Sequence, residues 1–163
     1  MPFSVVVPDV PEREDGPPVE VAIENARRKA EAVAAQRPDD LVLGADTVVS
    51  LDGRIYGKAS SDADASATLA ALSGRRHEVI GGVCLIDRGE ARTAAATTSV
   101  RFRALDDRLI DWYVRSGEWR ERAGAYAIQG LGAALVEGID GDYLNVVGLP
   151  MPALLELAPR LLG

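Results

Sequence analysis

The chain has 163 residues, 47% hydrophobic and 26% charged, a composition that fits one globular domain over residues 1–163 and excludes disordered and fibrous classes. A net charge of -7 repels polyanions, which excludes broad electrostatic binding of nucleic acid and leaves only a local site for phosphate. No apolar run approaches a membrane span, Met1 to Ser4 lacks the features of a secretion signal and Cys84 is the only cysteine, so a cytoplasmic protein without an internal disulfide is expected.

In chain order, Phe3 to Val7 is expected as a short strand, followed by a loop marked by Pro8, Pro11, Gly16, Pro17 and Pro18. Val19 to Gln36 has helical propensity, with Ala22, Ala26, Ala30 and Val33 as an apolar stripe and Lys29 beside it. Leu41 to Leu51 is expected as a strand that turns at Asp52-Gly53 into Arg54-Ile55-Tyr56. A second helix runs from Ser61 or Asp62 through Leu72 to a stop at Gly74. Glu78 to Asp87 and Ala91 to Arg103 then form a long hairpin across Arg88-Gly89. Asp106 to Ser116 is a helix closed by Gly117, with Leu109, Ile110, Tyr113 and Val114 inward. Beyond it, glycines punctuate short β segments before a last helix from about Pro150 to Leu162.

Of 18 basic residues only Lys29 and Lys58 are lysines, and they flank the segment Gly44-Ala45-Asp46-Thr47-Val48-Val49. A lysine is a compact, strongly hydrated point charge suited to phosphate oxygens. Asp46 sits among apolar strand residues, where a carboxylate has one of three uses: a structural cap, a general base for water, or a ligand for Mg²⁺ beside phosphate. Glu12 and Glu14 are ordinary loop charges or the source of a second metal carboxylate. The run Ser73-Gly74-Arg75-Arg76-His77 either presents cations to a cleft or answers a helix dipole, and His77 and Cys84 are expected in the core. The amide of Gln129 can donate to and accept from one edge of uracil or thymine.

Together these segments resemble the Maf (septum-formation-inhibitor) nucleoside triphosphate pyrophosphatases. The resemblance rests on Lys29-Ala30, Gly44 to Val49, Gly57-Lys58, Leu72-Ser73-Gly74-Arg75 with His77, Ala123 to Gly130, Ile139 to Tyr143 and Asn145 to Pro150. It implies an α/β fold: an elongated, curved, mixed β-sheet flanked by helices, two lobes around a central cleft, similar to the inosine triphosphatase fold. It implies hydrolysis of a nucleoside triphosphate to the monophosphate and pyrophosphate with Mg²⁺ or Mn²⁺, and it is compatible with a homodimer, a state the family often adopts. Asp46 then matches the catalytic proton acceptor and a metal ligand, Glu12 a second metal ligand, and Lys29 and Lys58 the phosphate contacts. Thr47 and Gln129 match specificity positions of the branch acting on dTTP and UTP. The family usually carries threonine where Gly81 stands, a departure expected to matter less than the one at the N-terminus. It also opens with a strand, a Ser-x-Ser-Pro-Arg-Arg loop and a helix, so an N-terminally shortened member is expected. The alternative is a nucleotide-binding or regulatory member linked to cell division, without turnover.

Overall fold

The computed structural model describes residues 2–159. Its elements are α1 (Pro18–Ala34), β1 (Val42–Leu51), β2 (Arg54–Tyr56), α2 (Asp62–Leu72), β3 (Arg76–Asp87), β4 (Glu90–Phe102), α3 (Asp107–Ser116), a 3-10 turn at Leu131–Leu135, β5 (Val136–Asp140), α4 (Tyr143–Val147) and α5 (Met151–Leu157). The strands make one sheet in the order β2-β1-β3-β4-β5 with helices around it, the α/β arrangement expected. Every strand pair among the described residues is antiparallel, a narrower pattern than a mixed sheet. Two tight turns help impose it. Asp52-Gly53 and Arg88-Gly89 both have positive φ at both residues, the backbone twist that a two-residue hairpin requires.

Helices α2 and α3 are capped by their own sequence. The Ser61 side chain accepts from the Asp64 amide at the start of α2, Asp106 from the Leu109 amide at the start of α3, and Gly117 closes α3 in the left-handed region. These helices pack Leu69, Leu72, Ile110 and Tyr113 against Val49, Val79, Val100 and Phe102. A second body of core lies under α1, where Ala26 and Ala30 meet Val42, Cys84 and Ile86, and Val21 and Ala22 meet Val48 and Ile80. Neighbouring strand residues serve different bodies, Val49 one and Val48 the other, as the alternation of side chains along a strand demands.

Three expected elements differ. Phe3 to Val7 forms no strand, and Phe3, Val5 and Val7 stand exposed. β-propensity is realised only against a neighbouring strand, and no ladder reaches this segment; it is held instead where Arg37 donates to the Ser4 hydroxyl. Of the short β segments expected after Gly117 only β5 is a strand, because Asp142 caps the Leu144 amide and starts α4. The last helix ends at Leu157, and the stretch from Arg160 to Leu162 lies outside the described residues. Among the described residues no helix is long and apolar enough to cross a membrane.

Candidate active site

The site begins with a close helix-to-sheet contact. A β-carbon on Gly44 would lie 2.2 Å from the Ala26 carbonyl oxygen, and one on Gly82 would lie 2.3 Å from that of Ala22. The two glycines and the alanine stripe therefore let α1 lie directly on β1 and β3. Asn25 and Lys29, one helical turn apart, are carried over the sheet beside that stripe. Asp46 is two residues beyond Gly44 and so faces the same helix.

Lys29 Nζ stands 2.6 Å from Asp46 Oδ1 and 2.7 Å from Glu12 Oε1. The loop carrying Glu12 is held by Asn25, which is buried. The Arg13 amide donates to Asn25 Oδ1 at 2.7 Å, and Asn25 Nδ2 donates to the Arg13 carbonyl at 3.0 Å and to Asp46 Oδ2 at 3.2 Å. Lys58 completes the group, 3.6 Å from Glu12 and 3.8 Å from Glu121. Its position follows from the chain after β2, where Lys58 bridges to Ala123 and the Gly124 amide donates to the Tyr56 and Gly57 carbonyls.

One lysine shared by two carboxylates does not serve them equally. The Asp46 side chain is only 9% exposed, and burial pushes its carboxyl above the ordinary value despite the hydrogen bonds from Lys29 and Asn25. Glu12 is 33% exposed; burial again opposes its charge, but Lys29 and then Lys58 outweigh it and hold the carboxyl below the ordinary value. For Lys29, burial is overcome by hydrogen bonds to both carboxylates, which raise its pKa and keep it cationic. The arrangement is a buried carboxylate, Asp46, and a half-buried one, Glu12, joined by Lys29, with Lys58 on the outer side of Glu12.

These residues line a cavity of about 580 Å³, a volume suited to a small-molecule ligand. It straddles an open sheet edge. β2 pairs with β1 only at Val49 to Leu51, which leaves the edge of β1 beside Asp46 and Thr47 without a neighbour from β2. On the α1 side the lining includes Glu12, Arg13, Lys29 and Asp46; on the other it includes Thr47, Tyr126, Gln129 and Val146. All six residues singled out from sequence, Glu12, Lys29, Asp46, Thr47, Lys58 and Gln129, line this one cavity, as does Glu14.

Arg75 and Arg76 do not. Arg75, just before β3, pairs with Asp52, and Arg76, its first residue, donates to Ser99. The cavity's arginines are Arg13 and Arg122, which sequence reasoning missed along with Asn25. Position one turn before Lys29 was the available signal for Asn25. His77 is buried, hydrogen-bonded to the Tyr126 hydroxyl at 2.8 Å, and Cys84 is buried with its thiol pushed up by burial, so both belong to the core. Among the described residues no group of three or more His, Cys, Asp or Glu side chains is placed to hold a metal. Glu12 and Asp46 are the carboxylate pair, and both bind Lys29. Mg²⁺ commonly takes only one or two carboxylates, with phosphate oxygens and water completing its shell, so this donor set fits a cation that arrives with a phosphorylated ligand.

Fold and cavity thus define an α/β protein with a cleft in which Lys29 and Lys58 meet the carboxylates of Glu12 and Asp46. A family model described as Maf-like protein matches residues 1–161, and the chain belongs to that family. A dTTP/UTP pyrophosphatase of Thermococcus gammatolerans is 50% identical over 155 residues, covering 95% of this chain and 83% of the relative. One of Pyrococcus furiosus is 47% identical over 140 residues, 86% of this chain and 74% of the relative. One of Deinococcus radiodurans is 42% identical over 158 residues, 96% and 81% respectively.

Proposed function

We propose that this chain is a nucleoside triphosphate pyrophosphatase that hydrolyses dTTP and UTP to the monophosphate and pyrophosphate. The observation that carries the reading is Lys29 held between Asp46 and Glu12, with Lys58 beside them, in a cavity of nucleotide size. The names of the relatives support the reaction and its substrates.

In this reading Asp46 takes the proton of the attacking water as the bond between α- and β-phosphates breaks, and pyrophosphate departs with the bonding electron pair. The burial that raises the Asp46 pKa makes it a stronger proton acceptor than a surface carboxylate. Lys29 and Lys58 offset charge on the phosphate oxygens. A divalent metal, Mg²⁺ or Mn²⁺, held by Glu12 and Asp46 would supply further neutralisation of that charge when bound with the nucleotide. Gln129 and Thr47, on the other side of the β1 edge, meet the base end, where an amide both donates to and accepts from uracil or thymine.

The test is pyrophosphate release from dTTP, UTP and 7-methyl-GTP with Mg²⁺ or Mn²⁺, the chain as it stands beside Asp46→Asn. Release from the two pyrimidine nucleotides that disappears in the variant is the expected result. A folded chain that binds dTTP without releasing pyrophosphate would instead mark a nucleotide-binding protein.

A further inference from the structure

We infer that Glu118 and Tyr113 form a positioning clamp that holds Gln129 and thereby sets the cleft's preference between nucleobases; the role rests on Gln129 meeting the base as proposed above. Neither side chain lines the cavity. The Tyr113 hydroxyl, buried at the inner face of α3, accepts from the Ala127 amide at 3.0 Å and donates to Glu118 Oε2 at 2.9 Å. Glu118 in turn accepts from the Leu131 amide through Oε1 and the Gly132 amide through Oε2, each at 2.9 Å. The clamp thus grips the chain at Ala127 and again at Leu131 and Gly132, and Gln129 stands between the grips.

The local backbone is shaped around this carboxylate. A β-carbon on Gly130 would lie 1.9 Å from Glu118 Oε1, and one on Gly132 would lie 2.4 Å from the Ala127 carbonyl oxygen. The Gly130 amide closes the turn onto that same carbonyl at 3.2 Å. Tyr126, Ala127 and Ile128 are buried, while Gln129 and Gly130 are exposed, so the turn presents Gln129 from a base fixed in the core. Burial opposes the charge on Glu118, but the Leu131 and Gly132 amides and the Tyr113 hydroxyl prevail and hold its carboxyl below the ordinary value. An amide that must donate and accept at once discriminates only when its own backbone is fixed.

A purely structural tie would lower stability without touching selectivity, so the experiment reads selectivity. The kcat and KM for dTTP and dCTP are measured for the full chain, Glu118→Ala, Tyr113→Phe, Gln129→Ala and the Glu118→Ala/Gln129→Ala pair, with melting followed by circular dichroism. Each clamp variant is expected to lower the preference for dTTP about 10-fold, chiefly through KM, and Glu118→Ala is expected to add nothing once Gln129 is alanine. Glu118→Gln, which keeps one acceptor oxygen, restores part of the preference. A folded Glu118→Ala that keeps the preference which Gln129→Ala loses overturns the clamp alone, and additive losses in the pair overturn it too. If Gln129→Ala itself keeps the preference, the base-reading role of Gln129 fails and the clamp's role falls with it. Should Glu118→Ala not fold, Tyr113→Phe, which retains the buried ring, decides by the same readout.

Discussion

Asn25 Nδ2 donates to Asp46 Oδ2 at 3.2 Å, and the same side chain closes two hydrogen bonds with the main chain of Arg13. One buried amide therefore ties the carboxylate in β1 to the loop that brings Glu12 against Lys29. Asn25→Ala should destabilise the fold by roughly 1 to 3 kcal/mol, since it leaves polar groups unpaired in a partly buried place. It should also lower kcat/KM for dTTP about 10-fold or more, because Glu12 is no longer held. Denaturant titration and steady-state kinetics check both; a loss of stability with unaltered kinetics would show the Glu12 loop to be placed without it.

Asp46→Asn tests the proton acceptor. Turnover should fall about 10³-fold, within the range for removal of a general base. The active form is the carboxylate, and burial raises its pKa above the ordinary 3.8, so kcat should climb with pH along an acid limb displaced upward from that value. The same displacement means that folding must carry an unfavourable ionisation, present in full above the folded pKa. The neutral variant carries no such ionisation, so the parent's stability should rise relative to the variant's as pH falls through the folded pKa, a difference read from paired melting curves.

Much of this site is legible in the amino-acid sequence, and the reason lies in periodicity. Ala22, Ala26 and Ala30 recur at helical spacing, and that stripe places Lys29 at its border. Asp46 stands out as a carboxylate in an apolar strand. Asn25, Arg13 and Arg122 do not, because a polar residue on a helix or loop has the same local signature whether it faces solvent or a cleft. Phe3 to Val7 misleads for the opposite reason: its β-branched run satisfies the local rule, while strand formation depends on a partner that local sequence does not specify. The opposite facing of Asp46 and Thr47 follows from strand alternation alone, yet the cleft that uses both faces depends on β2 being only three residues long.

Gly81 carries more weight than its sequence context implies. A β-carbon there would lie 2.0 Å from Asn145 Oδ1. Asn145 has little room to yield, since its Nδ2 donates to the Val79 and Ala96 carbonyls and to Thr98 Oγ1. Gly81→Ala should therefore cost roughly 2 kcal/mol, as overpacking of a fitted interior does. A melting temperature equal to the parent's would show that Asn145 moves aside freely.

His77 makes the chain's acid response easy to isolate, because it is the only histidine. Burial depresses its pKa from 6.5 to about 4. Between those values the unfolded chain binds a proton at His77 that the folded chain refuses, so this ring's contribution to stability should fall as pH drops from 6.5 toward 4, by about 3 kcal/mol in total. The imidazole titration can be followed by NMR without assignment of competing signals. A midpoint near 6.5 in the folded protein would sink this account of the buried ring.

Lys29 and Lys58 should separate under the same substitution. Lys29 is 23% exposed and neutralises a carboxylate that is 9% exposed, so Lys29→Ala strands Asp46 and should cost roughly 3 kcal/mol or more. Lys58 is 47% exposed and its partners stand 3.6 and 3.8 Å away, a screened arrangement whose removal should change stability by no more than about 0.5 kcal/mol. Its loss should appear in binding instead, as a rise in KM for dTTP of about 10-fold, the effect of removing one phosphate-facing charge from a partly enclosed cleft. Denaturation midpoints and Michaelis constants measured on the two variants side by side decide the point. Equal destabilisation would mean that Lys58 is as deeply built into the cluster as Lys29, and an unmoved KM for Lys58→Ala would remove it from the phosphate site.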